Sequence, residues 1–208
     1  MTSLSYLHID EHLLVLDKPT GLLYQPGLGP ELADCLARRV QAAYLDARIV
    51  HRLDRDTSGV IVLARDAGTH RALSRQFQNR TVGKRYFAVV QGCIAIENGV
   101  IDAPLAKDFE RPPRHKVDWL HGKPALTDWT VTDRGADRTR IELEPRTGRS
   151  HQLRVHCLHL GHPILGDPLY APPEALAMAE RLQLHAAELS LTHPLSGERM
   201  TWVAPCPF

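Results

Sequence analysis

The segment VIVLA at residues 60–64 is the feature that most restricts how this chain can fold, and no unbroken apolar run in the 208 residues is longer. Most of its residues are β-branched, and a glycine and an arginine bound it, which predicts a short buried strand. A helix that spans a bilayer needs roughly 20 apolar residues. The sequence therefore predicts a globular fold without a transmembrane helix.

Strand and helix patterns alternate unevenly around this strand. Leu73 and Phe77 lie four positions apart within residues 67–78, which indicates a basic amphipathic helix, and residues 86–90 are again strand-like. Further predicted elements are a strand at 12–16, helices at 31–44, 150–161 and 172–184, and hairpins within 126–143 and 188–203. A few helices among many strands predict an α+β fold with a mostly antiparallel sheet rather than a doubly wound fold.

The boundaries of the third helix and the nature of one long connection can also be predicted. Ser150 is a suitable N-cap, and Gly161 suits the position just after the helix ends. Residues 100–123 contain several prolines and a glycine. We therefore expect that connection to be irregular.

Charges nearly cancel, because 25 Lys and Arg residues face 24 Asp and Glu residues, for a net charge of +1. This balance excludes a polybasic tail protein and an acidic disordered one. Four widely spaced cysteines form no C-x-x-C pair, and residues 1–6 lack the basic-then-apolar pattern of a secretory signal. We expect reduced thiols, a cytoplasmic location and no membrane partner.

Positive charge nevertheless concentrates in the middle of the chain. Residues 65–85 hold six basic side chains against one acid, and residues 146–154 add three arginines with no acid. Arginine outnumbers lysine by 20 to 5, and its guanidinium forks onto phosphates and stacks on bases. This distribution suits a local polyanion site, with a solvated helix face as the alternative.

A first candidate site is the motif HRLDRDTSG at residues 51–59, directly before the predicted strand. A loop that a buried strand holds in place is a good position for a catalytic carboxylate. Asp54 lies between two arginines, which would keep it ionised as a nucleophile or base. For Asp56, a role in the turn is the better interpretation, because Asp, Thr and Ser bond the backbone in such turns.

A second candidate site is the motif TGRSHQLRVH at residues 147–156. Arg149 precedes a helix start, where its positive charge opposes the helix dipole, and an anionic ligand would relieve that conflict. Arg154 follows the inward-facing Leu153 and could reach inward to an acid. Two surface arginines at a helix N-terminus are the alternative.

The histidines and glycines give no sign of a metal or a nucleotide cofactor. Four of the 12 histidines lie at positions 151, 156, 159 and 162, and this spacing matches neither H-E-x-x-H nor a zinc-finger pattern. The chain has no P-loop, no G-x-G-x-x-G and no G-x-S-x-G. We expect neither a metal nor a cofactor.

Three motifs together resemble the RluA family of pseudouridine synthases: HRLD with TSG at 51–59, KRYFA at 84–88, and GRSHQLR at 148–154. The resemblance is nearly full length, from residues 14–23 through GHPILGD at 161–167 to THP at 192–194. It implies the pseudouridine synthase α+β fold, with a mixed, largely antiparallel sheet, flanking helices and a central RNA-binding cleft. It also implies one catalytic domain over residues 1–208, with no room for an N-terminal S4-like domain.

Matched residue by residue, the resemblance assigns four roles. Asp54 corresponds to the catalytic aspartate, and Arg52 to the arginine that enters the RNA helix when the target uridine flips out. Tyr86 corresponds to the tyrosine that packs on the uracil, and Arg154 to the arginine that pairs with the aspartate. Further RNA contacts are expected from neighbouring basic residues, namely Arg71, Arg75, Arg80, Lys84, Arg85 and Arg149.

The implied activity is isomerisation of uridine to pseudouridine in RNA, without metal or organic cofactor. The closest likeness within the family is to members that modify both 23S rRNA and the tRNA anticodon stem-loop. Three alternatives stay open: a synthase for one of these RNAs alone, a catalytically silent RNA-binding module, and a metal-dependent hydrolase using the histidines at 151–162. No protein partner is evident, and a monomer is expected.

Overall fold

The computed structural model describes residues 4–27 and 29–208. The first three residues, which form part of the region inspected for a secretory signal, lie outside the described residues. Backbone contacts divide the chain into two compact units. The terminal unit contains the described residues up to Lys84 together with His185–Pro207, and the middle unit contains Arg85–Leu184 with Phe208.

The terminal unit is built on strands β1 (Ser5–Ile9), β2 (Leu13–Lys18), β3 (Arg48–Ile49), β4 (Ser58–Ala64), β11 (Leu184–Thr192) and β12 (Arg199–Val203). Strands β1, β2, β4 and β11 lie side by side in that order, while β3 pairs with β4 and β12 with β11. Strands β4 and β11 run parallel, and the pairs β1–β2, β2–β4, β3–β4 and β11–β12 are antiparallel.

All seven residues of β4 are buried, as expected for a strand covered on both faces. The helices of the terminal unit are α1 (Leu36–Gln41), preceded by a 3-10 turn at Pro30–Leu32, and α2 (Ala67–Gln78). Helix α2 is capped by Asp66, whose Oδ1 accepts the backbone N–H of Thr69 at 2.7 Å. Leu73 of α2 packs into a core cluster with residues of β2, β4, β11 and β12.

The middle unit contains β5 (Gly83–Gln91, nearly all of it in this unit), β6 (Asn98–Asp102), β9 (Leu126–Arg134) and β10 (Arg138–Pro145). These strands lie in the order β5–β10–β9–β6, and each neighbouring pair is antiparallel. A separate hairpin consists of β7 (Leu105–Lys107) and β8 (His115–Val117). The helices are α3 (Gln152–His159) and α4 (Pro173–Ala177). Leu153 and Cys157 of α3 pack into the core of this unit.

This architecture confirms the predicted α+β class with mostly antiparallel strands. The strand at 60–64, the helix at 67–78 and the two hairpins are all present, and α2 has the predicted bounds. Gly161 follows the C-cap of α3 with φ of +86°, the left-handed conformation that a glycine tolerates at this position. The periodic segments were predictable because each buries one apolar face.

Two predicted helices are shorter than expected, because backbone pairing competes with them. Within 31–44, Cys35 is extended and bridges to Leu23, and the N–H of Leu36 donates to the carbonyl of Leu23 at 2.8 Å, so α1 starts only at residue 36. Within 172–184, α4 stops at Ala177, and the N–H of Gln183 donates to the carbonyl of Leu165 at 3.0 Å.

Two further expectations are wrong in detail. The N-cap of α3 is His151, with φ of +56°, rather than Ser150, because the N–H of Gln152 closes a turn onto the carbonyl of Arg149. Residues 100–123 contain the end of β6 and the β7–β8 hairpin, although they were expected to be irregular. Strands of three residues are too short to show a period of two. No helix among residues 4–27 and 29–208 is both long and apolar enough to cross a bilayer.

Replacing Gly59 should strongly destabilise the terminal unit. Gly59 has φ of +113°, and a Cβ there would lie 2.2 Å from the carbonyl oxygen of Ala186 on β11. We expect Gly59→Ala to lower the free energy of unfolding in urea by at least about 3 kcal/mol, through strain and clash combined.

Gly161→Ala is the matched control. Gly161 also has positive φ, but nothing lies within 4 Å of the Cβ that would be added. Gly161→Ala should lower the free energy of unfolding by only about 1 kcal/mol. An equal decrease in the free energy of unfolding in the two variants would contradict the close approach of Gly59 to Ala186.

Candidate active site

The HRLD motif forms the loop between β3 and β4 in the terminal unit. A turn closes the loop, with the N–H of Thr57 donating to the carbonyl of Asp54 at 3.2 Å. The Asp54 side chain is only 15% exposed, and its Oδ1 lies 3.7 Å from a terminal nitrogen of Arg52. The loop therefore holds a carboxylate and a guanidinium close together at the entrance to a fully buried strand.

Lys18 anchors this loop to the end of β2. The side chain is completely buried at the end of β2, and its Nζ donates to the carbonyls of Pro19 (2.9 Å), Leu22 (2.8 Å) and Arg55 (2.9 Å). Thr20 adds a bond from its hydroxyl to the carbonyl of Asp56 at 2.6 Å. The two residues that follow Asp54 in the turn are thus tied to the end of β2 and to the segment after it.

Ser58 fixes the other end of the loop to β11. Its hydroxyl donates to Nδ1 of His185 at 2.8 Å, and Nε2 of His185 donates to the carbonyl of Ala204 at 3.1 Å. Since a carbonyl can only accept, the proton of a neutral His185 ring must be on Nε2. The Thr57-Ser58-Gly59 segment is therefore set by hydrogen bonds and by the close approach of Gly59 to β11.

Arg52 rests on an aromatic ring. Its guanidinium carbon lies 5.2 Å from the ring centroid of Tyr24, within the range of a cation–π interaction. The side chain is 50% exposed. Arg52 is thus held between a ring and a carboxylate while keeping access to solvent.

His51 supports the loop as a neutral side chain. Its ring stacks on Phe77 of α2 with 4.5 Å between centroids, and its Nε2 accepts the N–H of Val62 at 3.1 Å. Burial, with a smaller contribution from Lys84, lowers the pKa of His51 to about 3. His51 is therefore uncharged near neutral pH and unsuited to proton transfer there.

In the middle unit, Arg154 of α3 forms a buried salt bridge with Asp167. Nε of Arg154 donates to Oδ2 at 2.8 Å and Nη2 donates to Oδ1 at 2.6 Å. The two side chains are 2% and 1% exposed. The prediction that Arg154 reaches inward to an acid is confirmed for Asp167. Its pairing with Asp54 stays a prediction.

Gln152 organises the turn that carries Arg149. Its buried amide accepts from the hydroxyl of Thr147 (2.7 Å) and the N–H of Arg149 (2.9 Å), and it donates to Leu126 (3.0 Å) and Thr127 (2.9 Å). All hydrogen-bonding capacity of this amide is used. The side chain of Arg149 also donates to the carbonyl of Pro124 at 3.0 Å, which fixes its direction.

Tyr86 lies on β5 opposite Leu143 of β10. It is partly buried and packs against the core cluster of the middle unit. A ring in this position is supported on the core side and retains some exposure, as a stacking surface for a base requires.

The four histidines at 151–162 make separate contacts. Nδ1 of His151 bonds the hydroxyl of Tyr170 (2.7 Å), His156 bonds Thr127 (2.9 Å) and Ala103 (3.1 Å), and His162 bonds the carbonyl of Gln91 (2.8 Å). The ring of His159 lies 6.3 Å from that of Trp119. Within the described part of the chain, no group of three or more His, Cys, Asp or Glu side chains is placed to hold a metal ion.

The basic residues of 65–85 occupy different environments. Arg71 and Arg75 are exposed on α2, and Arg80 follows that helix in a left-handed conformation, with φ of +59°. Lys84 is partly buried, and burial, together with Arg80, lowers its pKa to about 8. Arg85, in the middle unit, lies 3.7 Å from Glu142.

Sequence reasoning missed the residues that position the site. Lys18 carries a signal that could have been read, since a lysine at the end of an apolar strand must satisfy its charge locally. Asp167 lies in the GHPILGD segment that supported the resemblance, but its partner, 13 residues earlier, could not be read from spacing. Tyr24 gave no signal beyond being aromatic.

Comparisons with known proteins agree with the motifs. Residues 12–159 match the family model for RNA pseudouridylate synthases. Proteins named dual-specificity RNA pseudouridine synthase RluA, from Escherichia coli (strain K12) and Salmonella typhi, are 50% identical over 203 residues, which covers 97% of this chain and 93% of each relative. The corresponding protein of Pasteurella multocida (strain Pm70) is 45% identical over 206 residues, 99% of this chain and 94% of its own.

Solved structures give the same result. Human RNA pseudouridylate synthase domain containing 1 has a TM-score of 0.84 at 29% identity, over 99% of this chain and 84% of that chain. Human RNA pseudouridylate synthase domain containing 4 has a TM-score of 0.78 at 27% identity, over 98% and 88%. Motifs, family model, relatives and fold thus agree: the chain belongs to the RNA pseudouridylate synthase family and is an isomerase that acts on RNA.

Proposed function

We propose that this enzyme converts one uridine of 23S rRNA and one uridine of the tRNA anticodon stem-loop to pseudouridine, with Asp54 as the essential residue. The observation that carries the choice of residue is the anchored loop, in which the carboxylate of Asp54 lies 3.7 Å from the guanidinium of Arg52. The two RNA targets rest on 50% identity to relatives named dual-specificity RNA pseudouridine synthases.

The reaction breaks the N-glycosidic bond, turns the uracil and rejoins it to the ribose through carbon. The proton on that carbon is released and the freed ring nitrogen takes up a proton, so the composition of the RNA is unchanged. The base must first leave the stack, which costs a few kcal/mol. We assign Arg52 to the gap that the flipped base leaves, because its guanidinium is half exposed and beside Asp54. We assign Tyr86 to the wall on which the uracil stacks.

Asp54 acts as a carboxylate, either attacking the sugar covalently or removing a ribose proton. Its low exposure supports both routes, since a carboxylate withdrawn from water is less encumbered by its hydration shell. Arg154 would pair with Asp54 during the reaction. The bidentate salt bridge that Arg154 makes to Asp167 supports that role, because it fixes the guanidinium plane before substrate arrives.

Two other functions are weighed against this one. A silent RNA-binding module would have no need of an anchored, weakly exposed acid beside an arginine. A synthase for only one of the two RNAs would share every feature of the site. Mapping pseudouridines in rRNA and tRNA of a deletion strain separates these possibilities, because loss at one, both or neither RNA identifies the substrates.

We further propose that residues 1–208 act as a single catalytic domain, as a monomer, in the cytoplasm and without a protein partner. RNA is the partner that family membership implies. All four cysteines are free of disulfides in the structure, as is usual for a protein of a reducing compartment.

Asp54→Asn should abolish pseudouridine formation and leave RNA affinity largely intact, because phosphate contacts supply most of the affinity for nucleic acid. The measurement is tritium release or pseudouridine mapping on an anticodon stem-loop transcript, together with filter binding. Asp56→Asn is the control, since Asp56 lies in the same turn and contacts Arg55 at 3.7 Å. Near-normal turnover in Asp54→Asn would contradict the assignment.

The enzyme should be fully active in EDTA. Any divalent ion that it requires should be only what the RNA needs to fold. The reason is that the proposed chemistry uses only a carboxylate and arginines, and the histidines at 151–162 have separate partners. Turnover is measured on an RNA shown to stay folded in EDTA. Loss of turnover that zinc restores would revive the metal-dependent alternative.

Arg71, Arg75 and Arg80 should contact phosphates. Arg71 and Arg75 are exposed and share one face of α2, while Leu73 is buried on the other. Each change to Ala should flatten the slope of log affinity against log salt by ~0.7–0.9, because each side chain releases about one phosphate's counterions. The turnover of bound RNA should change little.

Arg138→Ala provides the comparison for that series. Arg138 is exposed on β10 and paired with Asp137 at 2.8 Å, so its removal should leave the salt slope unchanged. Unchanged salt slopes in Arg71→Ala, Arg75→Ala and Arg80→Ala would mean that these arginines do not contact phosphates and form only a solvated face. The RNA path would then be sought along Lys107, Arg111, Arg114 and Lys116.

A further inference from the structure

Tyr170 is a buried tyrosine of the middle unit whose hydroxyl is held by two elements. The residue is 4% exposed and packs against Leu105, Ala125 and Val155. Its hydroxyl accepts the backbone N–H of His115 at 2.8 Å and lies 2.7 Å from Nδ1 of His151. A hydroxyl has one proton and two lone pairs, so it can satisfy both partners with either tautomer of His151. Strand β8 and the N-cap of α3 thus fix the ring.

The same residue touches both partners of the buried salt bridge. Its ring centroid lies 5.1 Å from the guanidinium carbon of Arg154. Its backbone N–H donates to Oδ1 of Asp167 at 3.1 Å, and that oxygen also accepts from Nη2 of Arg154 at 2.6 Å. Tyr170 therefore supports the guanidinium directly and the carboxylate that holds it.

The two supports restrain different movements of Arg154. The two hydrogen bonds that the guanidinium donates to Asp167 fix it within its own plane. The nearby ring attracts the cation through its π-electrons, and this attraction is strong where water is excluded. A buried ion pair is costly to desolvate, and its geometry must be good for the pair to be stable. Loss of the ring should therefore leave the pair formed but less well oriented.

We propose that Tyr170 is a positioning residue for the isomerisation, which holds Arg154 in the orientation that the reaction requires. The proposal rests on the function proposed above, in which Arg154 pairs with Asp54. Tyr170 need not touch the substrate, because it acts through Arg154. A displacement of a catalytic group by about 1 Å can cost a hundredfold in rate, so a ring that limits such displacement affects turnover rather than RNA capture.

Tyr170 also connects Arg154 to the β7–β8 hairpin. The guanidinium carbon of Arg114, one residue before β8, lies 5.1 Å from the ring centroid. His115, the first residue of β8, bonds the hydroxyl. Any shift of β8 would thus act on the ring that supports Arg154. Core packing and the hydroxyl bonds together hold the ring, and the ring is the part of Tyr170 that contacts the guanidinium.

The first experiment separates kcat from KM in two variants, on the anticodon stem-loop transcript. Tyr170→Leu removes the ring but keeps apolar volume, and it should lower kcat by about 10- to 100-fold with KM changed less than about twofold. Tyr170→Phe keeps the ring and removes only the hydroxyl, so it should retain most of kcat. Trp129→Leu is the control: it removes another buried aromatic residue of the middle unit, lowering the melting temperature without lowering kcat at 25 °C.

The second experiment follows Arg154 without using activity. In ¹⁵N-labelled protein, the Nε–H of Arg154 should exchange at least about fivefold faster in Tyr170→Leu than in wild type, because the cation loses its aromatic support. Tyr170→Phe and Trp129→Leu should show wild-type exchange. If Tyr170→Leu does not fold, Tyr170→Met takes its place, because it also removes the ring and keeps apolar volume, and the same lower kcat and faster Nε–H exchange are expected.

Two results would overturn the proposal. One is wild-type kcat in Tyr170→Leu with a lowered melting temperature, which would make Tyr170 a core residue alone. The other is wild-type exchange of the Arg154 Nε–H in that variant, whatever its kcat. Failure of the proposed function would look different, since wild-type enzyme would form no pseudouridine in either RNA. The exchange measurement would then still decide whether Tyr170 positions Arg154.

Discussion

The buried ammonium of Lys18 is the interaction on which the geometry of the Asp54 loop depends. An uncompensated buried charge costs several kcal/mol, and here three backbone carbonyls compensate it. One of those carbonyls belongs to Arg55, the residue next to Asp54. The end of β2 and the loop before β4 must therefore keep a fixed separation. The anchored backbone that follows Asp54 therefore gives this residue a defined position.

One buried arginine and one half-exposed arginine lie in contrasting environments. Arg154 is almost fully withdrawn from water and is held by a bidentate carboxylate and an aromatic ring. Arg52 is half exposed and rests on Tyr24 and Asp54 by longer contacts. The first arrangement restricts the guanidinium to one orientation, and the second leaves it partly accessible to solvent. A net charge of +1 conceals both environments.

The elements that could be predicted from sequence are those whose apolar residues repeat over a full face. Leu73 and Phe77 indicated α2, and the run at 60–64 indicated β4, because burial of a stripe or a whole strand leaves a local pattern. The helix predicted over 31–44 forms only at Leu36–Gln41, since Cys35 pairs with Leu23 through the backbone. The β7–β8 hairpin was missed because three residues carry no readable period.

For the site, the sequence by itself determined the loop residues of the HRLD motif, the GRSHQLR motif and the family to which they belong, because these residues are contiguous and their chemistry is local. Only the tertiary structure decided what holds them. Lys18 reaches Arg55 from 37 residues away, and Ser58 reaches His185 from 127 residues away. Asp167 and Tyr170 meet Arg154 by folding back onto α3. Hydrogen bonds and ion pairs of this kind are set by the path of the backbone, which no spacing in the sequence encodes.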